Sequence, residues 1–317
     1  MTECKAGKQT PSLPIAGLLL LCTLLIFSRD VIPRVQQGIL LCGTTIIPTL
    51  FPCMIACDML TSGALTEWGY SPLDRLCRFL FGVPFSGMSA FFLGAVCGFP
   101  IGTKIAADLY RTKKINAQEL ASLLAFSNVT GPVFLVAGVG FSLFGSPKIG
   151  LFLYTVQLFS ALLCGFWFAR ISNKPAEAPH GVLATANTQT FRFSASVGRN
   201  VLNTLSVCGF VLLFSAVCGI LSSFIKNDAL LSFIYCFLEV GGACAQAASL
   251  FDTMPLLSVL YAALAVNFSG MSVHLQASSF LSDLPFSFWR YVLIKVAQAV
   301  IALLLTLLFF PLLGIGA

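Results

Sequence analysis

Long apolar runs alternate along the chain with short breaks made of glycine, proline and charged residues. A helix needs roughly 20 apolar residues to cross a bilayer, and seven of the runs approach or exceed that length. They lie at 13–27, 35–61, 117–144, 150–169, 197–225, 255–281 and 288–313. The pattern predicts an all-α polytopic membrane protein with about seven transmembrane helices.

Two further apolar segments, 79–110 and 229–251, are interrupted by helix-breaking residues. Pro100 lies in the first interruption, and the pair Gly241 and Gly242 forms the second. Irregular backbone at membrane depth is tolerated where it is buried in protein or lines a cavity. We therefore expect two re-entrant helical hairpins, each entering and leaving the membrane on one side.

A sequence motif recurs in the two halves of the chain. Asn-Val-Thr-Gly at 128–131 is matched by Asn-Phe-Ser-Gly at 267–270, and the same offset of 139 residues places Gly102 over Gly241. Each motif lies inside an apolar run, which indicates a broken helix. Because each half contains an odd number of full spans, the second copy is predicted to sit inverted, an arrangement typical of secondary transporters.

The repeat and the charges divide the chain into four parts. These are an N-terminal cytoplasmic segment with the first helix (1–34), the first repeat (35–170), a cytoplasmic linker (171–196) and the second repeat (197–317). On this topology twelve lysines and arginines fall on one side and four on the other. Basic residues favour the cytoplasmic side, so the N-terminus is predicted to be cytoplasmic and the C-terminus outside.

The composition excludes several classes of function. With 57% hydrophobic and only 9% charged residues, the chain has no polar stretch long enough for a soluble catalytic domain. Metalloprotease, hydrolase and nucleotide-binding motifs are absent from the sequence, so we expect neither an enzyme nor a cofactor. The net charge of +6 is spread between apolar runs, and we expect no nucleic-acid partner. Most of the 12 cysteines lie in apolar runs and are predicted to be packing residues.

Polar residues inside apolar segments are costly, and each is a functional candidate. Lys104 and Asp108 are four residues apart and share a helix face, so they are predicted either to form a structural ion pair or to serve a solute. Gly102 and Thr103 would present backbone N–H groups to an anion at a helix start. The remaining candidates for solute binding in the two halves are Asn128, Thr130, Gly241, Asn267, Ser269, Ser272, His274 and Gln276.

Ion coupling has its own candidates. Glu239, Asp108 and His274 could relay protons or help to bind Na⁺. For all these residues the alternative is a polar side chain satisfied by a neighbouring helix. Weaker candidates for a role at membrane depth are Asp58, Gln246, Lys295 and Gln298.

Four blocks of sequence resemble the YlbJ family of sporulation integral membrane proteins. They are Ile-Pro-Thr-Leu-Phe-Pro at 47–52, Gly-Phe-Pro-Ile-Gly-Thr-Lys at 98–104, Phe-Ser-Asn-Val-Thr-Gly-Pro at 126–132 and Ser-Gly-Met-Ser-Val-His-Leu-Gln at 269–276. The resemblance covers the chain from about residue 35 to its end. It implies a fold related to nucleoside-recognition Gate-domain proteins and concentrative nucleoside transporters. It also implies a Gram-positive spore former and a link to dipicolinate movement across the bacterial cytoplasmic or forespore membrane.

These observations lead to one hypothesis and two alternatives. The first is a secondary transporter or facilitator of a small organic anion, with dipicolinate or a similar dicarboxylate as the leading candidate and a midplane site between hairpins and broken helices. The alternatives are a transporter of nucleosides or other small solutes, and a non-transporting sporulation scaffold. The expected partners are the solute and the lipid bilayer, with coupling to Na⁺ or H⁺ and homo-oligomerisation left open.

Overall fold

The computed structural model describes residues 12–62, 72–171 and 191–314. Every regular element within these ranges is a helix, so the predicted all-α class is confirmed. Five helices, some joined end to end, are long and apolar enough to cross a bilayer, and the bent pair Pro72–Phe81 and Phe85–Cys97 makes a sixth if it forms one span. The polytopic membrane character follows from these helices, although they are fewer than the seven predicted.

The first half contains eight described α-helices, most of them short. They are α1 (Ser12–Ile26), α2 (Ser28–Leu41), α3 (Ile47–Ser62), α4 (Pro72–Phe81), α5 (Ser89–Cys97), α6 (Ile101–Arg111), α7 (Ala117–Phe126) and α8 (Pro147–Ile171). The helix α1 has only 15 residues, which is short for a span. The run predicted at 117–144 is divided into α7 and the π-helical segment Val133–Leu143. These two differences account for the lower count.

The second half contains six helices. They are α9 (Phe193–Phe224), α10 (Asp228–Tyr235), α11 (Val240–Ala248), α12 (Pro255–Phe268), α13 (Gly270–Leu281) and α14 (Phe288–Phe309). The predicted spans 255–281 and 288–313 have the same limits as Pro255–Leu281 and Phe288–Leu313.

Two predicted domain limits fall inside helices. The π-helical turn Cys42–Ile46 joins α2 and α3 into one helix of 35 residues, Ser28–Ser62, which includes the limit placed between residues 34 and 35. Pro33 lies early in this helix, where it does not end it. The helix α9 begins at Phe193, four residues before the predicted second repeat, while residues 1–11 of the predicted N-terminal part and 172–190 of the predicted linker lie outside the described residues.

The first hairpin consists of α5 and α6, which pack against each other on either side of Gly98, Phe99 and Pro100. Gly98 has a φ of +88°, a conformation that glycine adopts without steric cost. The tip also lies on the break of the first broken helix, because a Cβ atom at Gly98 would be 2.9 Å from the amide nitrogen of Gly131.

The first broken helix is built by local sequence signals. Its first part, α7, begins with a capping box in which Asn116 and Glu119 each bind the backbone N–H of the other at 2.9 Å. It ends at Phe126, and the chain is not helical again until Pro132. The motif at 128–131 lies in this break.

The second half contains a hairpin and a broken helix of its own. The helices α10 and α11 form a second hairpin, and α12 and α13 form a helix broken at Ser269, whose φ is +73°. The N–H groups of Met271 and Ser272 donate to the carbonyl oxygens of Phe237 and Leu238 at 2.8 and 3.0 Å. Each hairpin tip is therefore packed against the break of the broken helix in its own half.

Long helices surround these elements. The helix α2 packs along α9, while α8 and α14 pack against each other and against α12. Two large apolar cores result, one around the first hairpin and α7 and one around the second hairpin and α12, and a small third cluster joins Cys42 to Cys208 and Val211. The breaks of both broken helices lie next to α8 and α14 at the centre of the molecule.

Candidate functional site

A cavity of about 100 Å³ lies between the two halves of the molecule. Its walls come from both hairpin tips, the first break, α13, the long helix Ser28–Ser62 and α9. Its main polar and backbone groups are contributed by Thr45, Thr49, Gly98, Thr130, Gly131, Glu239, Gly241, Ser272 and Gln276. The cavity therefore lies where the sequence predicted a site between hairpins and broken helices.

Glu239 places a carboxylate at this cavity. The side chain is 5% exposed and caps α11, accepting from the N–H of Gly241 at 2.8 Å and from the N–H of Gly242 at 2.5 Å. A helix start carries partial positive charge, which stabilises an anion there. The carboxylate has no lysine or arginine within ion-pairing distance among the residues that the structure describes. The start of α11 thus binds an acidic side chain of the protein itself.

Neutral polar groups complete the wall. Gln276 is 2% exposed, and its amide nitrogen donates to the Ser272 hydroxyl at 3.2 Å, whereas its Oε1 has no partner within the described structure. Thr130 accepts a hydrogen bond from Gln157 at 3.0 Å. An unpaired buried acceptor is costly, so the Gln276 oxygen is the group of this wall most in need of a bound partner.

Lys104 lies outside the cavity lining and is bound to Asp58 of α3. The predicted contact with Asp108 is present but longer, at 3.7 Å. Two residues of α9, Ser196 and Asn200, donate to the same Asp58 carboxylate at 2.6 and 2.9 Å. The ammonium is thus part of an ion-pair cluster between the first hairpin and two long helices.

The start of α6 is covered by the first break. A Cβ atom at Gly102 would overlap the carbonyl group of Ser127, so backbone occupies the space beside this helix start. The Thr103 hydroxyl is buried and has no partner in the described structure. Neither residue lines the cavity.

Asn128 and Asn267, the matched residues of the two motifs, are both fully buried and bind α8 and α14. Asn128 donates to the hydroxyl of Tyr291 at 2.6 Å, and its backbone oxygen accepts from Lys295 at 2.7 Å. Asn267 accepts from Ser160 at 2.7 Å and from Gln298 at 3.3 Å. Asn128 therefore fastens the first broken helix to α14, and Asn267 fastens the second broken helix to both α8 and α14.

His274 is a buried packing residue in this structure. Its Nε2 lies 2.7 Å from the carbonyl oxygen of Phe268, and its ring packs against the rings of Phe268 and Tyr291. Its Nδ1 has no partner in the described structure, and the side chain does not line the cavity.

The structure thus separates the predicted site residues into two groups. Thr130, Glu239, Gly241, Ser272 and Gln276 line one cavity. The others lie behind the lining or at the helix crossings, namely Gly102, Thr103, Lys104, Asp108, Asn128, Asn267, Ser269 and His274.

The tertiary contacts also involve residues that the sequence indicated weakly or did not indicate. Asp58 and Lys295, weak candidates in the sequence, hold central positions in the two polar clusters, and Ser160 and Tyr291 join the network without having been singled out. The available signal was a charged residue in an apolar run, which does not reveal its partners.

Helices of spanning length, two hairpins and two broken helices around a cavity between the two halves define a polytopic helical membrane protein. The chain is 22% identical over 309 residues to the sporulation integral membrane protein YlbJ of Bacillus subtilis (strain 168), covering 86% of this chain and 76% of that protein. This similarity supports the YlbJ family, which the four sequence blocks indicated. No family model and no solved structure matches the chain.

Proposed function

We propose that this protein is a secondary transporter or facilitator that carries a small polar solute through the cavity between its two halves. The observation that carries the proposal is the convergence of both hairpin tips, the first break and α13 on one cavity with a buried carboxylate. In secondary transporters, solute sites lie between structural repeats and are formed by interrupted helices.

Buried polar groups favour transport over a purely structural role. Glu239 and Gln276 are nearly inaccessible to solvent. The Glu239 carboxylate accepts from backbone N–H groups and not from a basic side chain, and the Gln276 Oε1 has no partner among the described residues. Ionisable groups at membrane depth are costly and usually mark a solute or ion pathway. A scaffold that only holds other proteins gains nothing from them.

The solute class follows from the resemblance and from the lining. The resemblance to the YlbJ family favours a small organic anion such as dipicolinate. The described lining, however, contains the carboxylate of Glu239 and no lysine or arginine. A dicarboxylate would therefore bind together with a proton or a cation that offsets the negative charge of Glu239.

A neutral solute is the second candidate. Thr130, Ser272 and Gln276 offer uncharged hydrogen-bonding groups at the cavity, and a nucleoside would need no companion charge. For either solute, we propose that the protein lies in the bacterial cytoplasmic or forespore membrane with its N-terminus in the cytoplasm.

A thermal-stability screen of the purified protein tests these statements. Dipicolinate and uridine are each added with Na⁺ or choline at pH 6 and pH 8, and solutes that raise Tm are then tested for uptake into proteoliposomes. A ligand at 100 times its Kd stabilises the protein by about 2.7 kcal/mol. Stabilisation by dipicolinate only with Na⁺ or at the lower pH supports the anion, and stabilisation by uridine in all buffers supports the nucleoside.

Two variants connect the screen to the cavity. Gln276→Leu removes the unpaired amide from the cavity wall and should abolish both the Tm shift and uptake. Gln37→Leu makes the same change at an exposed position of α2 and should abolish neither. Absence of uptake for every solute, with a folded protein, would reject transport in favour of the scaffold.

A further inference from the structure

Lys295 is a fully buried lysine at the crossing of α14 with the first broken helix. Its ammonium group donates to the backbone oxygen of Asn128 at 2.7 Å and to Oε1 of Gln298 at 2.8 Å. The Asn128 oxygen belongs to the non-helical break, so it is one of the carbonyl groups that interruption of the helix releases from helical hydrogen bonding.

The ammonium has no carboxylate partner within ion-pairing distance among the residues that the structure describes. The titratable groups facing it are Tyr291 of its own helix, with the ring centroid 5.9 Å from Nζ, Cys164 of α8 and His274 of α13. None of these three carries a negative charge near neutral pH in its ordinary state. The charge is therefore held mainly by neutral oxygen atoms.

Neutral carbonyl and amide oxygens are also the ligands with which interrupted helices bind alkali cations in transporters. Here two such oxygens, from Asn128 and Gln298, already accept hydrogen bonds from one ammonium group. A metal cation and this ammonium cannot bind the same oxygens in the same way at once.

The other half of the molecule shows that a charge is not required for this kind of contact. Gln157 lies 138 residues before Lys295, and its amide donates to the Thr130 hydroxyl at 3.0 Å and to the Val266 oxygen at 3.3 Å. A neutral side chain of α8 thus binds the first break and the last turn of α12, whereas the helix α14 uses a lysine at the first break. The positive charge at Lys295 calls for a separate explanation.

We infer that Lys295 is a built-in cation site, in which its ammonium takes the position of an alkali cation between Asn128 and Gln298 and proton exchange on it replaces Na⁺ exchange. This inference rests on the proposed transport function, since it names the ion to which that transport is coupled. Loss of one proton to water leaves an uncharged amine at the break, and binding of one proton restores the ammonium.

The protonation state of Lys295 affects both breaks. Gln298 accepts from Lys295 through its oxygen and donates through its nitrogen to Asn267, the matched asparagine of the second break, at 3.3 Å. Loss of the proton weakens the contact between Lys295 and Gln298, so the Gln298 side chain is free to rotate. Its hydrogen bond to Asn267 is then lost as well. Proton exchange therefore couples the first break, which lines the cavity, to the second break, which leads into α13 of the cavity wall.

Thermal unfolding of the purified protein in NaCl and in choline chloride tests the site directly. Wild type should have the same Tm in both salts. Lys295→Ser removes the ammonium but leaves the two oxygens, so its Tm should rise by several degrees with Na⁺ alone. Lys295→Gln supplies a neutral donor and should show no Na⁺ effect. The inference is overturned if Na⁺ specifically raises the Tm of wild type, or if Na⁺ does not raise the Tm of a folded Lys295→Ser variant.

The pH dependence of Tm supplies a second readout that does not need the serine variant to fold. Between pH 6 and pH 10 the Tm difference between wild type and Lys295→Gln should change by several degrees, because only one of them carries the titrating group. Lys148→Gln, a change at an exposed lysine, should follow wild type. Parallel profiles of wild type and Lys295→Gln overturn the inference.

Uptake experiments separate this inference from the proposed function. A solute found in the stability screen should accumulate under a pH gradient and not under a Na⁺ gradient. Accumulation driven by Na⁺ would refute the built-in cation and leave transport intact. No uptake of any solute, with the salt and pH results as expected, would refute transport and leave the lysine site standing.

Discussion

The Lys104 ammonium binds the Asp58 carboxylate across 46 residues of sequence, joining the first hairpin to the long helix Ser28–Ser62. Ser196 and Asn200 bind the second oxygen of the same carboxylate from α9. Both charged side chains are only 9% exposed. The hairpin is thus held against two long helices by one buried polar cluster.

Removal of one partner of this pair should destabilise the protein strongly. Breaking a buried ion pair from one side typically costs about 3–5 kcal/mol, and only the longer contacts of Asp58 with Arg199 at 3.6 Å and of Lys104 with Asp108 at 3.7 Å would then remain. We expect Lys104→Met and Asp58→Asn each to lower Tm markedly. The double variant should lose less stability than the sum of the losses in the two single variants, and a double-mutant cycle measures this difference. Additive losses would mean that the two groups do not depend on each other.

Substitution of Gly102 tests the packing of the first hairpin on the first break. An added methyl group in Gly102→Ala would overlap the carbonyl of Ser127, and backbone atoms cannot move aside cheaply. We expect a large fall in Tm. Gly198→Ala is the matched control, since no atom lies within 4 Å of the new Cβ and alanine favours a helix by about 1 kcal/mol. Equal behaviour of the two variants would contradict the close approach.

The ion pair of Arg111 and Asp283 predicts a pH-dependent contribution to stability. Arg111 binds both Asp283 oxygens, at 2.6 and 3.1 Å, and holds the pKa of Asp283 below its usual range. A lowered carboxyl pKa stabilises the fold above the unfolded value of about 4, and this contribution is lost as the pH falls through the folded value.

Arg111→Gln should therefore lower Tm slightly at pH 7, and the difference from wild type should shrink towards pH 3. Lys113→Gln, two residues further along, changes the net charge by the same amount and serves as the control. A Tm difference that stays constant over this pH range would show that the pair does not act through Asp283.

Changes at Glu239 should separate helix capping from function. Glu239→Ala removes the N-cap of α11, for which a loss of about 1 kcal/mol is typical, and Glu239→Gln keeps an acceptor but not the charge. Both should abolish uptake of the solute found in the screen. Asn227→Ala removes the corresponding cap of α10 and should lower stability without loss of uptake. Normal uptake by Glu239→Gln would exclude the carboxylate from transport.

Local sequence patterns predicted much of the fold. The paired motifs at 128–131 and 267–270 predicted two helix breaks, and both lie where those breaks occur. The limits of Pro255–Leu281 and Phe288–Leu313 were also predicted, because apolar length and proline positions act within one segment. The predicted span 35–61 runs through α2 and α3, but the start of this helix at Ser28 was missed, since Arg29, Asp30 and Pro33 suggested an interruption that the helix tolerates.

The candidate site was predicted only in part, because its contacts join distant residues. The i to i+4 spacing of Lys104 and Asp108 is visible in sequence, whereas the shorter contact with Asp58 depends on how α3 packs on α6. The charged residue nearest to Lys295 in the sequence is Arg290, five positions away, which does not indicate the partners of Lys295. Its partners, Asn128 and Gln298, were recognised only as separate polar residues.

The hydrogen bonds between the second hairpin tip and the second break join backbone groups alone, from Phe237 and Leu238 to Met271 and Ser272. Most substitutions of side chains leave such hydrogen bonds in place. Ser272, which faces the cavity, can therefore change without loss of the attachment that its own N–H provides. In this architecture the selectivity of the cavity can evolve separately from the mechanical connection of the parts that form it.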